Sequence, residues 1–278
     1  MENWKVRPAK FEELPALIKE GDIVLDVGGG IRPLSRANYV LDFLSWPERH
    51  AVQPWLSEVW PKLHFSSETW IQWDVCGRKP WPFRDKQFDF VTCKGTLEDL
   101  RDPVWVCEEM MRVGKAGYIE TPNRVVESML GVERSRYCGY SHHHWMCELT
   151  ETGMEFTFKH AQMHAYSRFH IAAGPDFGRP ARDHHSGEAL DVVERLAVTI
   201  TRWFYEVNPK YMTVGFHWTN GFSSREKVLV DKGEVEADLM QFKKRCQSIP
   251  DLWIRKQTDC EKRSGRDFSR DLRAKEMA

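Results

Sequence analysis

The chain has 278 residues, 41% of them hydrophobic, with a formal net charge of −1 and a sequence pI near 6.8. That suits a globular protein with one large core, or a core carrying an extension. It excludes the overall basic field that draws a protein onto nucleic acid or an anionic membrane, and no apolar run has the length of a membrane-spanning helix.

Residues 1–20 carry Phe11, Leu14, Leu17 and Ile18 at helical spacing, which predicts an amphipathic lead-in helix. Met1 to Lys5 lacks the basic and apolar regions of a signal peptide. The seven cysteines are odd in number and include no C-x-x-C pair, so neither a disulfide framework nor a structural zinc site is expected. Together these features predict a cytoplasmic protein.

Ile23-Val24-Leu25-Asp26-Val27 reads as a buried parallel strand, and Gly28-Gly29-Gly30 ends it abruptly. Glycines there permit positive φ and let a ligand approach the backbone closely. Tyr39-Val40-Leu41-Asp42-Phe43 is a second strand closed by an acid, and residues 70–76 a third, ending near Asp74. Acids at successive strand ends in this topology accept hydrogen bonds from the sugar and base of a nucleoside. Phe88-Asp89-Phe90-Val91-Thr92-Cys93 is a fourth strand. Asp102-Pro103 starts a helix, with Asp as N-cap and Pro in the first turn, and Gly114 stops it. Residues 116–120 form a fifth strand. Strands alternating with crossovers predict a doubly wound, mostly parallel α/β sheet.

Beyond Pro122 the pattern becomes α+β. Residues 125–132 read as helical, and 144–149 with 154–159 as a hairpin. Residues 174–187 read as a loop, 189–205 as a helix, and 211–218 with 227–230 as a last strand pair. From residue 233 the charge density predicts a helix to about Cys246 and then a loosely held tail. The division expected is a lead-in (1–20), a cofactor core (21–122), a segment completing the sheet and supplying an acceptor site (123–232), and a charged tail (233–278).

Val24 to Gly30, then Asp42, Asp74 and the run Pro82-Phe83-Arg84-Asp85-Lys86-Gln87-Phe88-Asp89-Phe90-Val91 resemble the class I, Rossmann-like methyltransferases that use S-adenosylmethionine (SAM). Leu97 to Pro103 and Glu109 to Gly117 look like the later segments of the type 11 branch. The resemblance implies that Asp26, Gly28, Gly29 and Gly30 serve the methionine end of SAM. It also implies that Asp42 holds the ribose and Asp74 the adenine, that Trp73, Val75 or Trp81 packs on the adenine, and that Cys93 and Lys94 lie beside the cofactor. Arg32, followed by Pro33, stands where the family often has a third glycine, and the short stretch from Gly30 to Asp42 implies a truncated first crossover. A nicotinamide-dependent oxidoreductase expects its acid about 20 residues onward and is the lesser rival. A non-catalytic SAM-binding or scaffold protein is the other.

The acceptor is expected to be a small molecule or a saccharide, methylated at oxygen, with neither nucleic acid nor membrane as partner; the oligomeric state stays open. A hydroxyl acceptor calls for a base near neutrality. His142, His143 and His144 are the candidates, with His160, His164, His170, His184 and His185 following. His142 and His144 would share one side of an extended segment. A metal site on that pair ranks below catalysis, because no Cys or acid stands at a familiar ligand spacing nearby, and none is expected.

Overall fold

The computed structural model describes residues 4–30, 32–49, 63–129, 132, 137–171 and 211–249. The chain divides into two compact units, one of residues 1–122, 147–157 and 214–227, the other of 123–146, 158–213 and 228–278.

The first unit is built on a seven-stranded sheet. Its strands are β1 (Lys5–Pro8), β2 (Val24–Val27), β3 (Tyr39–Asp42), β4 (Trp70–Gln72), β5 (Phe88–Lys94), β6 (Gly114–Pro122) and, from late in the chain, β9 (Thr213–Thr219). The order is β1-β9-β6-β5-β2-β3-β4. Strands β2 to β6 pair in parallel. The strand order therefore reverses between β2 and β5, and in an open parallel sheet the ligand crevice lies outside the carboxyl ends of the strands at such a point. Val24, Leu25, Val27, Val91, Cys93 and Ile119 are fully buried, as expected of strands covered on both faces.

The lead-in is not one helix. Lys5–Pro8 runs antiparallel to β9 and occupies the sheet edge, where Pro8 ends the strand without costing an interior hydrogen bond. A 3-10 turn (Phe11–Glu13) and a single helical turn, α1 (Leu14–Leu17), follow. Phe11, Leu14, Leu17 and Ile18 still share one apolar cluster with Val24, Val40, Phe90 and Tyr118. The spacing identified a core-facing surface, but Pro8 and Pro15 do not let it form one helix.

Helix α2 (Pro103–Val113) begins where its cap predicts: the Asp102 side chain accepts the Trp105 N–H at 3.0 Å. Between Gly28 and Asn38 the described residues form turns and no helix, so the first crossover is truncated as its length requires.

Strands β7 (Trp145–Leu149), β8 (Gly153–Phe158) and β10 (Ser223–Lys227) make a second sheet in the order β10-β8-β7. β9 and β10 are therefore not partners: β10 runs parallel to β8. Asn220 at φ 68° and Gly221 at φ 147° re-aim the chain, and the fully buried Phe222 anchors it. Alternation of residue types shows that a strand exists, not which strand it joins.

In the second unit, the helix expected over 125–132 is the single turn α3 (Arg124–Glu127). A further turn, α4, spans Gln162–Ala165. Helix α5 (Lys232–Gln247) starts on an Asp231–Glu234 capping box and buries Val235, Leu239, Phe242 and Cys246 at helical spacing. Asp238 of α5 pairs with the buried guanidinium of Arg124. Cys76, Cys93, Cys107, Cys138, Cys147 and Cys246 are buried. Among the described residues no helix is long and apolar enough to cross a membrane. The expected loop 174–187, the helix 189–205, His184, His185 and the tail beyond residue 249 lie outside the described residues.

Candidate active site

The first unit places its polar groups at the switch point between β2 and β5. Asp26, the third residue of β2, is 4% exposed. Its Oδ2 accepts the Leu34 N–H at 2.7 Å and its Oδ1 the Thr92 hydroxyl at 2.7 Å. Burial pushes its pKa up to about 6 against these two hydrogen bonds. Asp26 thus holds the loop after the glycines and pins β5 to β2.

Gly28 and Gly30 both take positive φ, 67° and 49°, where a Cβ strains the backbone. Gly28 also makes room for Thr96: a Cβ there would stand 2.3 Å from Thr96 Cγ2. The Thr96 hydroxyl donates to the Gly28 carbonyl at 3.1 Å. The end of β5 is thereby tied to the turn after β2.

Asp42 closes β3 and is 5% exposed. The Gly30 N–H donates to its Oδ2 at 2.7 Å and the Leu44 N–H to its Oδ1 at 2.8 Å. Burial raises its pKa, and the two N–H donors oppose that shift. A Cβ on Gly30 would stand 3.9 Å from Asp42 Oδ2 and meet nothing nearer than 3.8 Å, so the missing side chain leaves space in front of this carboxylate. Each carboxylate oxygen offers about two lone-pair sites, and each here has spent one on a backbone donor. That fits a vicinal diol.

Asp74 is exposed. It accepts the Cys76 N–H at 3.0 Å and an Arg101 N–H at 2.7 Å. The Trp73 N–H donates to the Asp42 carbonyl at 2.7 Å, which ties this segment to the end of β3. Val75 and Trp81 are buried, and the Trp81 indole N–H donates to the Val75 carbonyl at 3.2 Å. Cys93 is buried, and that burial raises its thiol pKa. Lys94, the next residue, points out. Its Nζ lies 3.7 Å from Glu120 Oε1 and 3.6 Å over the Phe11 ring.

Gly30 and Asp42 are therefore hydrogen-bonded to each other, while Asp26 holds Leu34 and Thr92 beside the same turn, with Lys94 at the neighbouring strand end and Asp74 beyond Asp42. Sequence reasoning missed Thr92 and Thr96, whose roles are hydrogen bonds to distant residues. It also missed Phe43, which is 74% exposed beside Asp42. An aromatic at the end of an otherwise buried strand was the available signal for Phe43.

The histidine run lies in the second unit. His142 and His144 are exposed and His143 is buried, but the run is not an extended segment: His142 lies in a turn that the His143 N–H closes on the Tyr140 carbonyl at 3.3 Å. Nδ1 of His143 is 2.7 Å from Glu127 Oε1. Lys159 donates from Nζ to Glu127 Oε2 at 2.6 Å and to the Tyr140 carbonyl at 2.7 Å. The rings of Tyr140 and His143 are 4.6 Å apart. His164 accepts the Cys138 N–H on Nδ1 at 3.1 Å, and burial lowers its pKa to about 4. His170 is held down by burial as well and contacts the Met163 carbonyl at 2.8 Å.

A five-strand parallel order with a glycine turn and a strand-end acid at its switch point is the arrangement of a doubly wound, Rossmann-like α/β domain. Residues 55–119 match the type 11 family model, described as a methyltransferase domain. That match covers less than half of the chain and begins after Asp42. No curated protein sequence matches the chain. Among solved structures, a SAM-dependent methyltransferase of Aquifex aeolicus aligns over 41% of this chain and 64% of its own, at 21% identity and a TM-score of 0.30. The YcgJ protein of Bacillus subtilis aligns over 40% and 49%, at 18% identity and a TM-score of 0.30. A SAM-dependent methyltransferase of Mesorhizobium loti aligns over 84% and 79%, at 11% identity and a TM-score of 0.33. The first two alignments leave a third or more of each neighbour uncovered.

Proposed function

We propose that this protein transfers the methyl group of S-adenosylmethionine to oxygen on a small-molecule or saccharide acceptor. The observation that carries the reading is the coupling of Gly30 to Asp42: the backbone turn and the diol-binding acid are one hydrogen-bonded piece.

When bound, SAM supplies a methyl group activated by its sulfonium. The chain supplies position. The Gly28–Gly30 backbone cradles the methionine end, Asp42 accepts the ribose hydroxyls, Asp74 faces the adenine amino group, and Phe43 offers the adenine a flat apolar surface. As the acceptor oxygen gains its bond to carbon it must lose its proton. One of His142, His143 and His144 takes that proton or orients the acceptor. His142 and His144 are the exposed pair, and Glu127 fixes the ring of His143. The net charge of −1 argues against nucleic acid or an anionic membrane as the acceptor, and the buried thiols agree with a reducing cytoplasm.

The test is to incubate the full chain with methyl-labelled SAM and a panel of hydroxylated small molecules and oligosaccharides, following S-adenosylhomocysteine and methylated product by mass spectrometry. The reading requires the two to form in equal amounts with at least one acceptor. SAM binding without turnover on any acceptor would favour a non-catalytic SAM-binding protein instead.

A further inference from the structure

The row of strand ends beside the glycine turn carries a charged pair that no cofactor contact uses. Val27 is in register with Cys93, and Lys94 with Glu120. Gly28, Lys94 and Glu120 therefore follow one another across β2, β5 and β6, with neighbouring strands about 4.8 Å apart. The Gly95 N–H donates to the Glu120 carbonyl at 2.9 Å, and the Thr96 hydroxyl holds the Gly28 carbonyl. The three strand ends are thus locked in one line at the edge where a doubly wound sheet receives its ligands.

Glu120 is only 7% exposed, and its carboxylate is incompletely used. The Tyr118 hydroxyl donates to Oε2 at 2.5 Å. Lys94 stands 3.7 Å from Oε1, beyond the roughly 2.7–2.9 Å of a charge-assisted hydrogen bond. Its ammonium rests on the Phe11 ring instead. A pair built only for stability would close that gap, because a buried charge is costly until its lone pairs are filled. As it stands, Oε1 has a counter-charge nearby and unspent lone pairs.

We propose that Glu120 is an acceptor-recognition residue. Its Oε1 takes the hydrogen of a hydroxyl or ammonium group on the methyl acceptor beside the glycine turn, with Lys94 as counter-charge and Tyr118 fixing the carboxylate plane. This rests on the methyltransferase reading and deepens it: it selects acceptors bearing a hydrogen-bond donor at or next to the methylated atom.

Sinefungin tests this without an acceptor. It carries a protonated amine where SAM carries its methyl-bearing sulfonium, so it senses a carboxylate on the methyl side; S-adenosylhomocysteine has no charge there. Both are titrated calorimetrically into the full chain. Wild type should bind sinefungin the more tightly. Glu120→Gln should lower sinefungin affinity about 10-fold, the loss of one charged hydrogen bond, with little change for S-adenosylhomocysteine. Lys94→Met, at an exposed side chain, should raise the sinefungin preference several-fold by removing the counter-charge. Equal effects on both ligands, or none, overturn the proposal. If Glu120→Gln does not fold, Lys94→Met decides alone, and an unchanged preference overturns it. If wild type binds neither ligand, the methyltransferase reading falls and this inference with it.

Discussion

The backbone N–H of Gly30 donates to the Asp42 carboxylate at 2.7 Å. The turn after one strand and the acid that ends the next thus hold each other in place before any ligand arrives. Asp42→Ala should weaken binding of S-adenosylhomocysteine by about 1–3 kcal/mol, since the ribose loses a charged acceptor and Gly30 loses its anchor. Calorimetry reads the change, and unchanged affinity means that the ribose is held elsewhere.

The two glycines should respond differently to alanine. At Gly30 the cost is mainly the left-handed backbone, about 1–2 kcal/mol, because a Cβ there meets nothing within 3.8 Å. At Gly28 a Cβ would also run into Thr96, 2.3 Å from Cγ2. Gly28→Ala should be the more destabilising in urea unfolding, and adding Thr96→Ala should recover part of the loss. Such non-additivity is the mark of residues in contact. Strict additivity would show that the turn moves away from Thr96 freely.

Asp26 sets a pH dependence of definite sign. Its folded pKa, about 6, lies above the ordinary aspartate value of 3.8. Relative to an untitrating residue, its contribution to stability is therefore full below the unfolded pKa and lost as pH rises through about 6. The stability of wild type minus that of Asp26→Asn should fall by about 3 kcal/mol between pH 3.5 and pH 7. Denaturant titrations at several pH values measure this difference. A difference that is flat or rises with pH contradicts it.

The histidine run should split on mutation. His143→Ala leaves the buried Glu127–Lys159 pair without its third member and should lower the melting temperature. His142→Ala and His144→Ala, at exposed positions, should stay within about 0.5 kcal/mol of wild type. Glu127→Ala should cost about 3–5 kcal/mol, because it strands the Lys159 ammonium in the interior. Similar thermal shifts for all three histidine variants would contradict the burial pattern.

The parallel core was legible because its signals are local. Apolar runs mark strands 23–27 and 88–93, Asp102-Pro103 marks a helix start, and glycines after a strand mark a turn with positive φ. Even the truncation of the first crossover followed from the short Gly30–Asp42 stretch. What stayed hidden depends on partners far apart in sequence. Nothing in Lys5-Val6-Arg7-Pro8 says that it pairs with β9, and nothing in Ser223 to Lys227 says that it pairs with β8. Thr92 and Thr96 gain their hydrogen bonds only once β2 and β5 lie side by side. The histidine triplet was visible as chemistry, but its buried middle member depends on Glu127, sixteen residues back.

The central claim is that the Gly28–Gly30 turn and Asp42 hold an S-adenosyl group. Its most direct test is calorimetry on the purified full chain with S-adenosylhomocysteine and, in parallel, NAD. The account predicts saturable one-to-one binding of S-adenosylhomocysteine, abolished or strongly weakened by Asp42→Ala, and no binding of NAD. Tight binding of NAD with none of S-adenosylhomocysteine would contradict it.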